Sequence, residues 1–306
     1  MARWRGRAAV CCAVVFGGAA CGTRERTFDG PRAFRHLEAQ VALGPRVPGT
    51  EAHRRALQYF QSHFASTADR VNVQAFDAVC ALDSTTSSCQ NVVAVFQPES
   101  RRRILIGAHW DSRPYADHDP DPAKRRQPVT GANDGASGAA VLLELATALH
   151  EHPPKIGVDL ALFDAEDGGR EDDPRTFSVG AQRFVDEHRD YRPGYVVVLD
   201  MIGRRGTRIP REANGLSRNP RLVEGVWAAA REAGVKALVD STGPPVMDDH
   251  IPFLAAGIPA VDLVDLADPA WHTTSDLPAG CAPESLAEVG RLMLVLIAKA
   301  EASFPP

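Results

Sequence analysis

Apolar positions recur at helical spacing from about residue 31 to residue 66. The pattern breaks once, at Gly44-Pro45-Arg46-Val47-Pro48-Gly49, where glycines and prolines predict a turn. The period then changes: residues 71–76 and 91–96 are rich in Val and Phe and predict strands. Ile104-Leu105-Ile106-Gly107-Ala108 is apolar on both faces and predicts a buried strand, and 158–163, 195–199 and 258–263 predict three more. Apolar helical patterns occupy 138–150 and about 283–302, and a loop rich in Pro, Asp and Arg fills 112–130. Strands alternating with helices predict a single α/β domain, with a central, mostly parallel mixed sheet and helices on both faces.

The first 20 residues read differently. Arg3, Arg5 and Arg7 precede a small, apolar run, 8–20, that is too short to span a bilayer as a helix and fits the core of an export signal. It ends Gly18-Ala19-Ala20-Cys21, which resembles a bacterial lipobox with Gly18 in place of the usual leucine-like residue. Cys21 is therefore expected to carry lipid and become the first mature residue, 21–30 to be a polar tether, and 31–306 to be the enzyme domain. The expected location is the periplasm, free or lipid-anchored to a bacterial membrane. Cys80 and Cys89 bracket a short polar loop and are expected to form a disulfide in an oxidising compartment, leaving Cys281 odd. Net charge is −5 without any long Lys/Arg run, which argues against a nucleic-acid binder. At 306 residues the chain buries a core without needing disulfide or metal staples, and a monomer is expected.

Chemistry gathers where the buried strands end. Residues 104–108 run into His109-Trp110-Asp111, 158–163 into Asp164-Ala165-Glu166-Asp167, and 195–199 into Asp200. In open α/β sheets ligands bind at the carboxyl ends of strands. So many carboxylates at one edge repel each other unless a cation joins them, and a mixed His/carboxylate set suits zinc. Two further pieces extend the set. Asp134 lies in the Gly-rich run 131–138, ahead of a helix, where by itself it reads as an N-cap. His272 lies in a polar loop with Trp271 beside it.

The order of these pieces resembles the co-catalytic zinc exopeptidase superfamily, which includes aminopeptidases and animal-type glutaminyl cyclases. AHWDSR from Ala108, GANDGASG from Gly131, FDAEDGG from Phe163, LDMIGR from Leu199 and AWHTTSD from Ala270 stand in that superfamily's order. GPRVPGT from Gly44 is similar to its substrate-side N-terminal segment. Asp248-Asp249-His250-Ile251-Pro252-Phe253 matches the glutaminyl cyclases most closely. Three positions depart from the animal cyclases. Asp167 replaces a second glutamate, Asp262 replaces a histidine, and 168–173 lacks their tryptophan.

The cyclase resemblance implies one zinc held by Asp134, Asp167 and His272. It implies Glu166 as general base, Asp248 and Asp200 as its carboxylate partners, and Trp271 as a pocket wall. The substrate would be the N-terminal glutamine of a peptide or protein, cyclised to pyroglutamate with loss of ammonia. The aminopeptidase resemblance implies two zincs, with His109 and Asp200 on the second, Asp134 shared, and Glu166 activating water. A His109 turned away from the metal would favour the cyclase. A non-enzymatic, metal-stabilised binding protein would have no use for Glu166.

Overall fold

The computed structural model describes Met1 and residues 26–303. The export signal and Cys21 lie outside the described residues. Among those described, no helix is long and apolar enough to cross a membrane.

Helix α1 (Gly30–Ala42) begins where the Asp29 side chain accepts from the Arg32 amide. α2 (Glu51–Thr67) begins where Thr50 does the same for His53. A hairpin follows, β1 (Arg70–Val79) and β2 (Thr86–Phe96), then β3 (Arg103–His109), α3 (Ala136–Glu151) and β4 (Gly157–Phe163). Next come α4 (Val179–Glu187), β5 (Val196–Asp200), β6 (Ile209–Arg211), α5 (Ala213–Arg218) and α6 (Pro220–Glu232). β7 (Leu238–Thr242), α7 (His250–Ala255), β8 (Ala260–Val264) and α8 (Pro283–Ser303) complete the chain.

The main sheet has the order β1-β2-β4-β3-β5-β8, and β6 and β7 form a separate two-stranded ribbon. β1–β2 and β2–β4 are antiparallel, while β4–β3, β3–β5 and β5–β8 are parallel. Strand alternation sorts the core into two layers. Ile104, Ile106, Leu160 and Leu162 pack on one face under α1, α2, α3, α6 and α8. Leu105, Ala161, Phe163 and Val198 pack on the other under α4 and α7. This is the expected single α/β domain with helices on both faces. In the parallel half of the sheet, β3, β4 and β5 all end on one edge, with His109 opposite Phe163 and Asp200 opposite Val264.

Two expectations need correction. Residues 26–30 are docked rather than a free tether. Arg26 donates to the His152 carbonyl (2.7 Å) and pairs with Glu301 (2.8 Å). Phe28 lies so close over Gly290 of α8 that a Cβ there would fall 2.3 Å from its ring. Cys80 and Cys89 are not bridged: both are free thiols, as is Cys281. The hairpin register puts Cys89 opposite Phe76. Cys80 therefore lies four residues further along, roughly 13 Å at the usual strand rise, beyond the reach of a disulfide. Cys80 turns instead toward the Gly168 carbonyl and Cys89 toward that of Ser87.

Candidate active site

Each site side chain is delivered by a strand end or by a loop bolted to one. His109 closes β3, buried, with Nε2 at 3.1 Å from both Asp134 Oδ1 and Asp200 Oδ1. It is turned toward the carboxylates, not away from them. Asp134 is held by its backbone: the amides of Asn133 and Asp134 both donate to Asp276 (2.8 and 3.1 Å). Asn133 in turn accepts from the Gly203 amide and donates to Asp268. Behind this turn, the buried Arg46 guanidinium donates to the carbonyls of Trp110, Thr130 and Gly131. Through Arg46 the Gly44 segment thus braces the Asp134 turn from behind.

After β4 the chain turns sharply at Ala165, with φ +56°. Asp111 fixes the next two residues by accepting from the Glu166 and Asp167 amides (3.0 and 3.1 Å). Asp167 Oδ1 then lies 3.2 Å from both His272 Nε2 and Arg113 Nη1. His272 is itself strained, with φ +54°, and its Nε2 is 3.8 Å from Asp134 Oδ2. Asp164, the first acid after β4, takes no part: it is consumed by His53 (3.0 Å) and by the Gln90 and Ala165 amides.

Two clusters follow, Asp134–Asp167–His272 and His109–Asp134–Asp200, each with ligand atoms within 4.8 Å of one another. Asp134 Oδ2 and Asp167 Oδ2 are buried without hydrogen-bond partners, and His109 and His272 both present Nε2 to these carboxylates. Buried polar atoms are rarely left without partners. The His272–Asp167 spacing matches the ~3.3 Å edge between tetrahedral ligands bonded at about 2.0–2.1 Å. The donor set therefore fits zinc.

Around the clusters the electrostatics are those of crowded acids. Burial holds the Glu166 carboxyl well above the usual range, and the neighbouring Asp248 and Asp167 add to it against the pull of His109. Burial, with Asp200 beside it, raises Asp248 to about 6. Asp262 and Asp249 are pushed up by burial and by Asp248. Asp167 is the exception: burial would raise it, but His272 and Arg113 outweigh burial and hold it low.

Glu166, Asp167, Asp200, Asp248, Trp271 and His272 line one cleft of about 230 Å³. The Trp271 ring packs on His272 (4.2 Å between centroids) and edge-on to His118 (4.8 Å). Phe177 also lines the cleft, beneath Gly169, in the region where a tryptophan was missing from the sequence. Nothing in the local pattern singles Phe177 out. Asp111, Arg113 and Asp276 were legible only as members of the motifs that carry them. Asp262, in place of the histidine, is buried on β8, with His250 Nδ1 at 3.7 Å.

The pattern of peptidase family M28 matches residues 91–297 of this chain. The chain is 25% identical to a glutaminyl-peptide cyclotransferase-like protein of Mus musculus over 281 residues, covering 83% of this chain and 72% of the relative. The crystal structure of Tannerella forsythia glutaminyl cyclase superposes with a TM-score of 0.84 at 38% identity, covering 89% of this chain and 98% of that one. A Zn-dependent exopeptidase from Parabacteroides distasonis superposes with a TM-score of 0.85 at 34% identity, with the same coverage.

Proposed function

The chain belongs to peptidase family M28, and from that premise we propose that it is a zinc-dependent glutaminyl cyclase acting on peptide N-termini. The observation that carries the reading is the network of Glu166, Asp248 and Asp200, buried together in one small cleft beside the zinc ligands. Asp134, Asp167 and His272 would hold the zinc. When bound, the ion supplies a Lewis acid that polarises the γ-carbonyl of the substrate glutamine.

Glu166 takes a proton from the substrate α-amine as that nitrogen bonds to the γ-carbon. It returns the proton to the amide nitrogen, whose bond to that carbon breaks and releases ammonia. The nucleophile belongs to the substrate, so no acyl-enzyme forms, and ring closure within one molecule is favoured by proximity. Asp248 accepts a hydrogen bond from the amine and aims it. Asp200 shares protons with Glu166 and Asp248, and such close carboxylates titrate as a set. Trp271 walls the pocket against the glutamine methylenes.

A second reading, an aminopeptidase with two metals, draws on His109, which faces Asp134 and Asp200 as a second ligand set requires. One assay pair decides. A cyclase releases ammonia from glutaminyl-naphthylamide and keeps the naphthylamide bond intact. An aminopeptidase releases naphthylamine from leucyl-naphthylamide, and that outcome with no ammonia from the first substrate would overturn the cyclase reading. Metal content by elemental analysis counts the ions.

Export by residues 1–20 and lipidation at Cys21 complete the proposal, with the folded part acting as one monomeric domain. Cys21→Ser should move the protein from the membrane fraction to the soluble periplasm. An unmodified mature N-terminus in the wild type refutes the lipid.

A further inference from the structure

Val246 and Leu266 have a hollow on each side. One is the catalytic cleft; the other is an open groove of about 430 Å³ between the β6–β7 ribbon and the segment after β8. Pro210, Val239, Pro244 and Ala267 give the groove an apolar lining. The dividing wall is pinned: the Val246 amide donates to Glu212 Oε1 and its carbonyl accepts from Asn214 Nδ2, both at 2.9 Å.

Three ionisable side chains line the groove, and two are already committed. Asp265 is buried and accepts from Arg204, from Thr207 Oγ1 and from the Arg208 amide. Glu212 is buried and engaged by the amides of Asn214, Gly215 and Val246 and by His250. Arg208 is exposed, and its guanidinium makes no ion pair or hydrogen bond among the described residues. The cleft next door is lined by acids. Arg208 is thus the uncommitted positive charge one step away from a negative site.

We propose that the groove receives the substrate chain beyond its N-terminal residue, and that Arg208 selects a carboxylate there. This rests on the cleft being the seat of the N-terminal residue. A cleft of about 230 Å³ is filled by roughly one side chain, so the rest of the peptide must leave it. An extended chain advances about 3.3 Å per residue, so the second and third residues cross the Val246–Leu266 wall into the groove. The carboxylate is either an Asp or Glu side chain at the third residue or the C-terminus of a tripeptide.

The test compares Gln-Ala-Ala-Ala-amide, Gln-Ala-Glu-Ala-amide, Gln-Ala-Lys-Ala-amide and the free acid Gln-Ala-Ala on wild type, Arg208→Ala, Arg208→Lys and Arg208→Glu. In the wild type the glutamyl peptide should have a KM about two- to fivefold below the neutral amide, as for an exposed ion pair. Its kcat should match, because the contact is the same in ground and transition states. Arg208→Ala should erase the KM ratio, Arg208→Lys should keep part of it, and Arg208→Glu should favour the lysyl peptide. A lower KM for the free acid alone assigns the contact to the C-terminus; one for the glutamyl amide alone assigns it to the side chain. Equal KM values across tails in the wild type, or a ratio that survives in Arg208→Ala, overturn the proposal. If the wild type releases no ammonia from tail-less glutaminyl-naphthylamide, the cyclase reading fails separately, and the same tails on leucyl peptides still decide the groove.

Discussion

Two buried histidine–carboxylate pairs flank the end of β4, and by distance they are alike: His53–Asp164 at 3.0 Å and His272–Asp167 at 3.2 Å. Their bonding differs. Asp164 also accepts from the Gln90 and Ala165 amides, and the His53 ring stacks on Trp110 at 4.4 Å. This pair is closed and ties α2 to the sheet. Asp167 Oδ2 and Asp134 Oδ2 have no hydrogen-bond partner, and His272 Nε2 faces both residues from a strained backbone. That pair is open, with valences left for a ligand. Closeness and burial do not separate structure from function here; unfilled valence does.

The largest effect that would sharpen the contrast is at Glu166, on the open side. Glu166→Gln should lower kcat about 10²–10⁴-fold, the usual cost of a lost general base, while zinc content and Tm stay at wild-type values. Activity within a few-fold of wild type would remove Glu166 from the chemistry. Next is the closed pair. His53→Ala leaves a buried carboxylate without its partner and should cost about 3–5 kcal/mol of stability, read in denaturant unfolding, with zinc still bound. His272→Ala should do the reverse. Its zinc should be lost, and its Tm should match that of chelator-treated wild type, because its stability contribution comes through the metal. If His53→Ala loses zinc, or His272→Ala keeps it, the two pairs do not differ as described.

Asp248 probes the cyclase step itself. Asp248→Ala should lower glutamine cyclisation about 10²-fold in kcat with zinc retained, since aiming is felt in the transition state. Asp248→Asn should recover part, because its amide oxygen still accepts. An alanine variant near wild type in kcat would take Asp248 out of the mechanism. The smallest effect lies outside the site. His36 touches Tyr59 (2.6 Å) and packs edge-on to His63. Burial, with His63 and the nearby Arg32 and Arg35, lowers its pKa to about 4. The folded state therefore binds fewer protons than the unfolded state below pH 6.5. The contribution of His36 is present above that pH and should fade as pH drops toward 4. His36→Gln should flatten the fall in Tm over that window relative to wild type; parallel curves would refute the assignment.

Much of this was legible in the chain because local rules dictate it. α1, α2, α3 and α8 and the buried strands β3, β4, β5 and β8 follow from apolar period and from the turn at 44–49. The segments on either side of β5, 179–187 and 209–255, were not. β6 has three residues, too few for a period, and β7 is half exposed and ends polar. The cysteine pairing failed because loop proximity in sequence says nothing about register, and hairpin register placed Cys89 opposite Phe76.

The sequence by itself determined the inventory: an acid or histidine after each of three buried strands, an aspartate in a glycine turn, and a histidine beside Trp271. It determined these because side-chain type and strand ending are local properties. Only the tertiary structure decided which acids are open. Asp164 and Asp167 are three residues apart, and nothing in their order marks one for His53 and the other for His272. That choice depends on the parallel alignment of β3, β4 and β5, on the turn at Ala165, and on Asp111 gripping two successive amides. Hydrogen-bond valence is filled by groups distant in sequence, so it exists only once the chain has folded.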